Sequence, residues 1–275
     1  MSNEVVVGVD GTISSEEAVR WGAQAAVARG AELLLVHAIG DAGWDEVFQD
    51  VAATVLERAA DEAHRVGPLL KVRTEVEFDR PARCLVRRSG SARLVVIGTR
   101  RGSPAQRVFS GSRAYEIAAA AHCTVAVVPA LAAEYESRVV VGADGSPDSV
   151  AAVRAAAQEA QQYGAALEVV HAWEEPALVK IQGYVPPDLS AELRGAEELV
   201  LSEATAGLGE QFPDVQVERR LVKAPPATAL LEAGARARLV VVGCRGLHGV
   251  ARLLVGSTSH AVILHSRAPV LVVRS

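Results

Sequence analysis

The chain contains itself twice, and this constrains its fold more than any other feature. Val5-Val-Val-Gly-Val-Asp-Gly-Thr12 returns as Val139-Val-Val-Gly-Ala-Asp-Gly-Ser146, and the match runs on through Ala18-Val19-Arg20 with Ala152-Val153-Arg154 to Val36-His37-Ala38 with Val170-His171-Ala172. The spacing is 134 residues there and 145 further on, where Leu94-Val-Val-Ile-Gly98 meets Leu239-Val-Val-Val-Gly243 and Val125-Ala-Val-Val128 meets Val270-Leu-Val-Val273. The second copy is therefore longer in its middle, around the loop-like stretch Lys180 to Pro187. Copies of roughly 130 residues exceed solenoid units and are large enough to bury a core each. The reading is two homologous domains, 1–132 and 138–275, joined near Ala130 to Ser137.

Within each copy, short apolar runs alternate with longer Ala-rich segments. Val5 to Val9, Leu33 to Val36, Leu94 to Ile97 and Val125 to Val128 have strand length and β-branched character, with Val72 to Val76 as a weaker fifth. Helices are expected over Ser15 to Arg29, capped by Ser14 or Ser15 and ended by Gly30, and over Glu46 to Val66, Ala82 to Ser89 and Arg113 to Ala121. The order βαβαβαβαβ gives the fold class: α/β, two tandem doubly wound domains, each a five-stranded parallel sheet covered on both faces. The last strand of each copy would leave an apolar edge, so these two are expected to pair antiparallel about an internal pseudo-two-fold. Ligands in such sheets sit beyond the carboxyl ends of the strands, where strand order reverses.

Composition narrows the function classes. Half the residues are hydrophobic, 22% are charged and the net charge is -5, so no nucleic-acid partner is expected. The longest apolar runs fall far short of the roughly 18 to 20 residues of a membrane span, so no membrane partner is expected either. Met1 to Glu4 lead straight into a strand without a signal-like segment, and a cytoplasmic location is expected. Cys84, Cys123 and Cys244 are odd in number, far apart and without metal-ligand spacing, which fits reduced thiols. No metal site is assigned.

The informative residues follow the strands. Asp10-Gly11-Thr12 and Asp144-Gly145-Ser146 end the first strand of each copy. After the fourth strand of the second copy come Gly243-Cys-Arg-Gly246, nine residues, and Gly256-Ser257-Thr258-Ser259 opening a helix. Glycines allow close backbone approach, and a helix N-terminus offers free N–H groups at a positive dipole end, a combination suited to phosphate. Ser257 and Ser259 add hydroxyls, and Arg245 or Arg252 adds charge. Neither a Walker A loop nor a dinucleotide fingerprint is present.

The pattern Gly-x2-Gly-x9-Gly-[Ser/Thr] after the fourth strand, with an Asp after the first and Val-His-Ala ending the second, resembles the universal stress protein family over essentially the whole chain. The resemblance implies a Rossmann-like, adenine nucleotide-binding fold and ATP as ligand, with Mg left open as its companion. It places Asp144, Gly145, Ser146, Val170, Ala172, Gly243, Gly246, Gly256, Ser257 and Ser259 at the site, with Asp10, Gly11, Thr12, Val36, Ala38, Gly98, Arg101, Gly111 and Ser112 as first-copy counterparts. It implies a nucleotide-dependent regulator of stress tolerance or growth, with no catalytic residues assigned and a homodimer left open. A nucleotide-independent interaction module and a weak ATPase remain alternatives. An ATPase would need a positioned base and metal ligands, and only Asp10 and Asp144 offer themselves.

The first copy departs from the motif. Arg101 replaces its second glycine, and Ala114 stands where the second copy has Ser259. If the Arg101 position needs a positive φ, a side chain there costs about 1 to 2 kcal/mol, and the first site should be the weaker. Other features have plainer readings. His37 and His171 recur without a carboxylate at any suggestive spacing and read as packing or hydrogen-bonding residues, Trp21, Trp44 and Trp173 as core or interface aromatics, and Cys244 as an ordinary small residue unless Arg245 lowers its thiol pKa. Nine arginines and no acid lie between Arg80 and Arg113, which reads either as a solvated helix face or as a docking surface for an acidic partner.

Overall fold

A computed structural model of the chain describes residues 3–40, 46–99, 113–130, 135–174, 187–246 and 255–274. They form two compact units, one of Met1–Ala133 with Pro269–Val272 and one of Glu134–Ala268 with Val273–Ser275. The first unit runs β1 (Glu4–Gly8), α1 (Ile13–Arg29), β2 (Glu32–Ala38), α2 (Glu46–Val66), β3 (Val72–Glu77), α3 (Pro81–Ser89), β4 (Leu94–Thr99), α4 (helical over 113–120) and β5 (Thr124–Pro129). The second runs β6 (Glu136–Gly142), α5 (Pro147–Tyr163), β7 (Ala166–Trp173), α6 (Pro187–Ala204), α7 (Leu208–Gln211), β8 (Val217–Lys223), α8 (Pro226–Ala233), β9 (Ala237–Gly243) and α9 (Ser257–His265), followed by β10 (Val270–Val273).

The first unit's strands lie in the order β3-β2-β1-β4-β5, all parallel. The second repeats this as β8-β7-β6-β9. Strand order therefore reverses at β1 and at β6, as an α/β fold of two doubly wound units requires. The expected antiparallel pairing of the final strands is present, with Val270 opposite Val127 and Val272 opposite Val125. It carries most of β10 into the first unit, so that unit's sheet holds six strands and not five.

Burial explains why these runs became strands. Val5, Val6 and Val7 are buried on both faces together with Leu33 to Leu35 and Leu94 to Val96, and Val139 to Val141 pack likewise with Leu167, Val169 and Leu239 to Val241. The strands β3 and β8 carry several charged residues and no buried one, which protects a sheet edge. One expectation needs correcting: α1 begins at Ile13 after Thr12, so Ser14 and Ser15 are buried in its first turn and do not cap it. In the second unit Ser146 is a true cap, its Oγ accepting from Ser149 N at 3.2 Å.

The two units carry ion networks of opposite sign at matching places. In the first, Arg73 on β3 donates to Glu4 of β1 at 3.3 Å and to Glu75 at 2.8 Å. In the second, Glu168 on β7 accepts from Arg138 of β6 at 2.8 Å and from Arg220 of β8 at 3.1 Å. Arg138 occupies the position of Glu4, and Arg220, opposite Val170, that of Glu75, opposite Val36. Glu168 itself replaces the wholly buried Leu34.

Candidate functional site

In the second unit the ends of β6, β7 and β9 open on a cavity of about 530 Å³, within the size range of small-molecule sites. Asp144, Val170, Ala172, Gly243, Gly246, Gly256, Ser257 and Ser259 all line it. Gly145 and Ser146 are not among its lining residues. Gly145 makes the turn at φ +79, a left-handed conformation that favours glycine, and Asp144 Oδ1 closes the turn by accepting from Ser146 N at 3.0 Å.

The glycines of the motif have different tasks. A Cβ on Gly243 would lie 2.8 Å from the Asp148 carbonyl carbon, so this glycine lets β9 press against the start of α5. Gly246 does not have the positive φ anticipated for its position, and a Cβ there would press on the Asp144 carboxylate, the movable end of a side chain. Gly256 differs from both: among the described residues a Cβ there would meet nothing nearer than 3.6 Å, an ordinary contact, so their packing does not demand glycine. Directly after it, the N–H groups of Ser257, Thr258 and Ser259 begin α9 and have no carbonyl one turn back.

Two side chains expected on the ligand are engaged elsewhere. Ser259 Oγ donates to Gly243 O at 2.6 Å, tying α9 to the end of β9, so its proton is not available to a phosphate. Arg245 lies 3.6 Å from the buried Asp148 carboxylate, which also accepts from Arg245 N at 3.0 Å. Arg252 lies outside the described residues. The Cys244 thiol is pushed up by burial first of all, an effect that outweighs any lowering by Arg245.

The β7 side of the cavity holds residues that spacing did not reveal. His171 Nδ1 faces Ala143 O at 2.7 Å and Nε2 faces Glu197 Oε2 at 2.6 Å. The carboxylate comes from α6, 26 positions later, beyond any local pattern. Trp173, expected in a core or interface, lines the cavity half-buried, with Lys223 Nζ 5.8 Å from its ring centroid. A bulky aromatic directly after Val-His-Ala was the signal available.

The first unit has a counterpart of about 110 Å³, lined by Asp10, Thr12, Val36, Ala38 and Gly98 among others. Asp10 Oδ1 accepts from Thr12 N at 3.1 Å around Gly11, whose φ is +74, and His37 Nδ1 faces Val9 O at 2.7 Å. Gly98 is needed where β4 meets α1, since a Cβ would overlap the Ser14 carbonyl. Arg101, Gly111 and Ser112 lie outside the described residues, as does Trp44. Leu85, Pro81, Ile97 and Ile117 give this pocket an apolar wall.

The arginine-rich segment is less cationic than its sequence window implied. Arg87 donates to Glu77 at 2.7 Å and to Asp79 at 3.1 Å, Arg88 binds both Glu75 and Glu77, and Arg83 Nε lies 3.8 Å from Asp79. The acids sit on and just after β3, immediately before the window opens. Among the described residues these three arginines therefore form a neutralised helix face, which leaves less positive charge to attract an acidic partner.

No helix among the described residues is long and apolar enough to cross a membrane. Comparison with known proteins follows the repeat. The universal stress protein family model matches twice, over residues 1–129 and 136–274. Universal stress protein Rv2005c of Mycobacterium tuberculosis is 37% identical over 290 residues, covering 98% of this chain and 96% of the relative. A second protein of that organism, universal stress protein Rv2623, is 32% identical over 292 residues, again covering 98% and 96%. The crystal structure of a universal stress protein from Archaeoglobus fulgidus superposes with a TM-score of 0.70 at 20% identity, covering 100% of this chain and 99% of that one, which attests the fold. With both halves matched and relatives of this similarity along its length, the chain belongs to the universal stress protein family as a tandem, two-domain member.

Proposed function

We propose that the second unit binds ATP and that the protein is a nucleotide-dependent regulator, its output a conformation or partner interaction that differs between bound and free states. The observation that carries this reading is Gly256. Among the described residues nothing bars a side chain there, and it directly precedes the first N–H groups of α9, at one side of a cavity of about 530 Å³. Phosphates placed there meet the positive end of a helix and the Ser257 hydroxyl. Asp144, beside Gly246, lines the cavity, and Val170 and Ala172 offer an apolar wall for the base. Mass spectrometry of small molecules released by denaturing freshly purified protein is expected to show an adenine nucleotide. Its absence, joined to no calorimetric binding of ATP, would reject the reading.

The two sites are expected to be unequal. The first cavity is about 110 Å³ against 530 Å³, and Ala114 lacks the hydroxyl with which Ser259 ties α9 to Gly243. Losing one such hydrogen bond and part of the enclosure should weaken binding by about tenfold or more. Calorimetry should therefore resolve one tight class of site and one weaker, and two equivalent tight sites would contradict this.

A further inference from the structure

We infer that Glu197 is a specificity-determining residue of the second site, accepting a hydrogen bond from the exocyclic amino group of the bound nucleobase. This rests on the nucleotide reading above. One oxygen of Glu197 is fixed by His171 Nε2 at 2.6 Å, and His171 is itself fixed by Ala143 O at 2.7 Å. A carboxylate on a helix is thus held at one orientation by a buried ring on the neighbouring strand, and its Oε1 has no partner among the described residues. Glu197 is among the residues that line the cavity.

Position decides what the carboxylate meets. The strand order β9-β6-β7 puts the end of β7 two strands, about 10 Å, from the end of β9. The helix N-terminus that attracts an anion follows β9, whereas Glu197 sits at β7 and repels one, so a nucleotide lies with its phosphates at α9 and its other end at Glu197. That end is flanked by Ala172, Trp173 and Leu230, surfaces that fit the faces of a ring better than the hydroxyls of a sugar. A ring edge presented to a fixed acceptor is bound when it carries a donor. His171 is the positioning residue. The first unit lacks this device: Val55 against Gly11 and Val200 against Gly145 mark equivalent places, and three residues earlier stand Ala52 and Glu197.

The test compares ATP, purine riboside triphosphate, which lacks the 6-amino group, and 2′-deoxyATP, by calorimetry on the full chain and on Glu197→Ala, Glu197→Gln and Gly256→Glu variants. The native chain is expected to bind ATP at least about tenfold more tightly than the analogue. Glu197→Ala should bring the ratio near one, chiefly by weakening ATP, and Glu197→Gln, which keeps an acceptor for His171 without the charge, should fall between. Binding of ATP that is lost in Gly256→Glu but equals that of the analogue overturns the role of Glu197 alone. A Glu197-dependent loss confined to 2′-deoxyATP shows that the carboxylate reads the sugar and also overturns it. If ATP does not bind, or binds Gly256→Glu unchanged, the nucleotide reading fails and this inference with it.

Discussion

Replacing Gly256 by glutamate is expected to lower ATP affinity at the second site by about a hundredfold or more while leaving the fold intact. The backbone at Gly256 has φ -66 and ψ 154, a conformation open to any residue, and a Cβ there clears its nearest neighbours at 3.6 and 3.8 Å. The cost is thus paid by the ligand alone. The carboxylate occupies the cavity mouth, satisfies the helix N–H groups itself and repels the phosphates it displaces. Calorimetry with a parallel circular-dichroism spectrum decides the matter: unchanged affinity with a native spectrum would remove the phosphate site from this loop.

The largest stability effect is expected from Glu168. It is 3% exposed, and its two oxygens hold Arg138 and Arg220. Cutting it to alanine leaves Arg138 without its buried partner and opens a cavity within β7. Breaking a buried ion pair from one side costs about 3 to 5 kcal/mol, and because both arginines keep some contact with water we expect about 2 to 4 kcal/mol here. Thermal denaturation should fall by at least about 5 °C. Leucine, which the first unit uses at this place as Leu34, should recover packing but not the charge balance, and so only part of the loss. A variant as stable as the native chain would show that the network contributes nothing.

Most of the fold was legible because it is written in features that act locally. Apolar runs of strand length, glycines at helix ends and the recurrence of the whole pattern depend on neighbours a few residues away, and α2 matches its expected bounds, Glu46–Val66. The start of α1 was misplaced because Ser14 and Ser15 look like caps but are buried, a tertiary fact. The site was legible as a list and not as an arrangement. The motif named Gly243, Gly246, Gly256 and Ser259 together, yet Gly243 serves helix packing, Gly246 lies against Asp144, and Ser259 fastens α9, leaving Gly256 as the glycine at which no described residue blocks a side chain. Glu197 was invisible since its partner His171 lies on another element, and the arginine window misled by starting one residue after Asp79.

The inverted ion networks bear on how a chain made of two near-copies reaches its native state. Strands β1 and β6 share almost the same apolar sequence, so during folding each can compete for the other's place beside β2 or β7. If β1 took the place of β6 against β7, Glu4 would stand where Arg138 does and face the buried carboxylate of Glu168, two like charges. If β6 entered beside β2, Arg138 would stand in the place of Glu4 and meet Arg73 of β3, again two like charges. Swapped pairings that hydrophobic pattern alone would tolerate are thereby penalised. The exchange of sign between repeats acts as an address label, directing each strand to its own half of a duplicated chain.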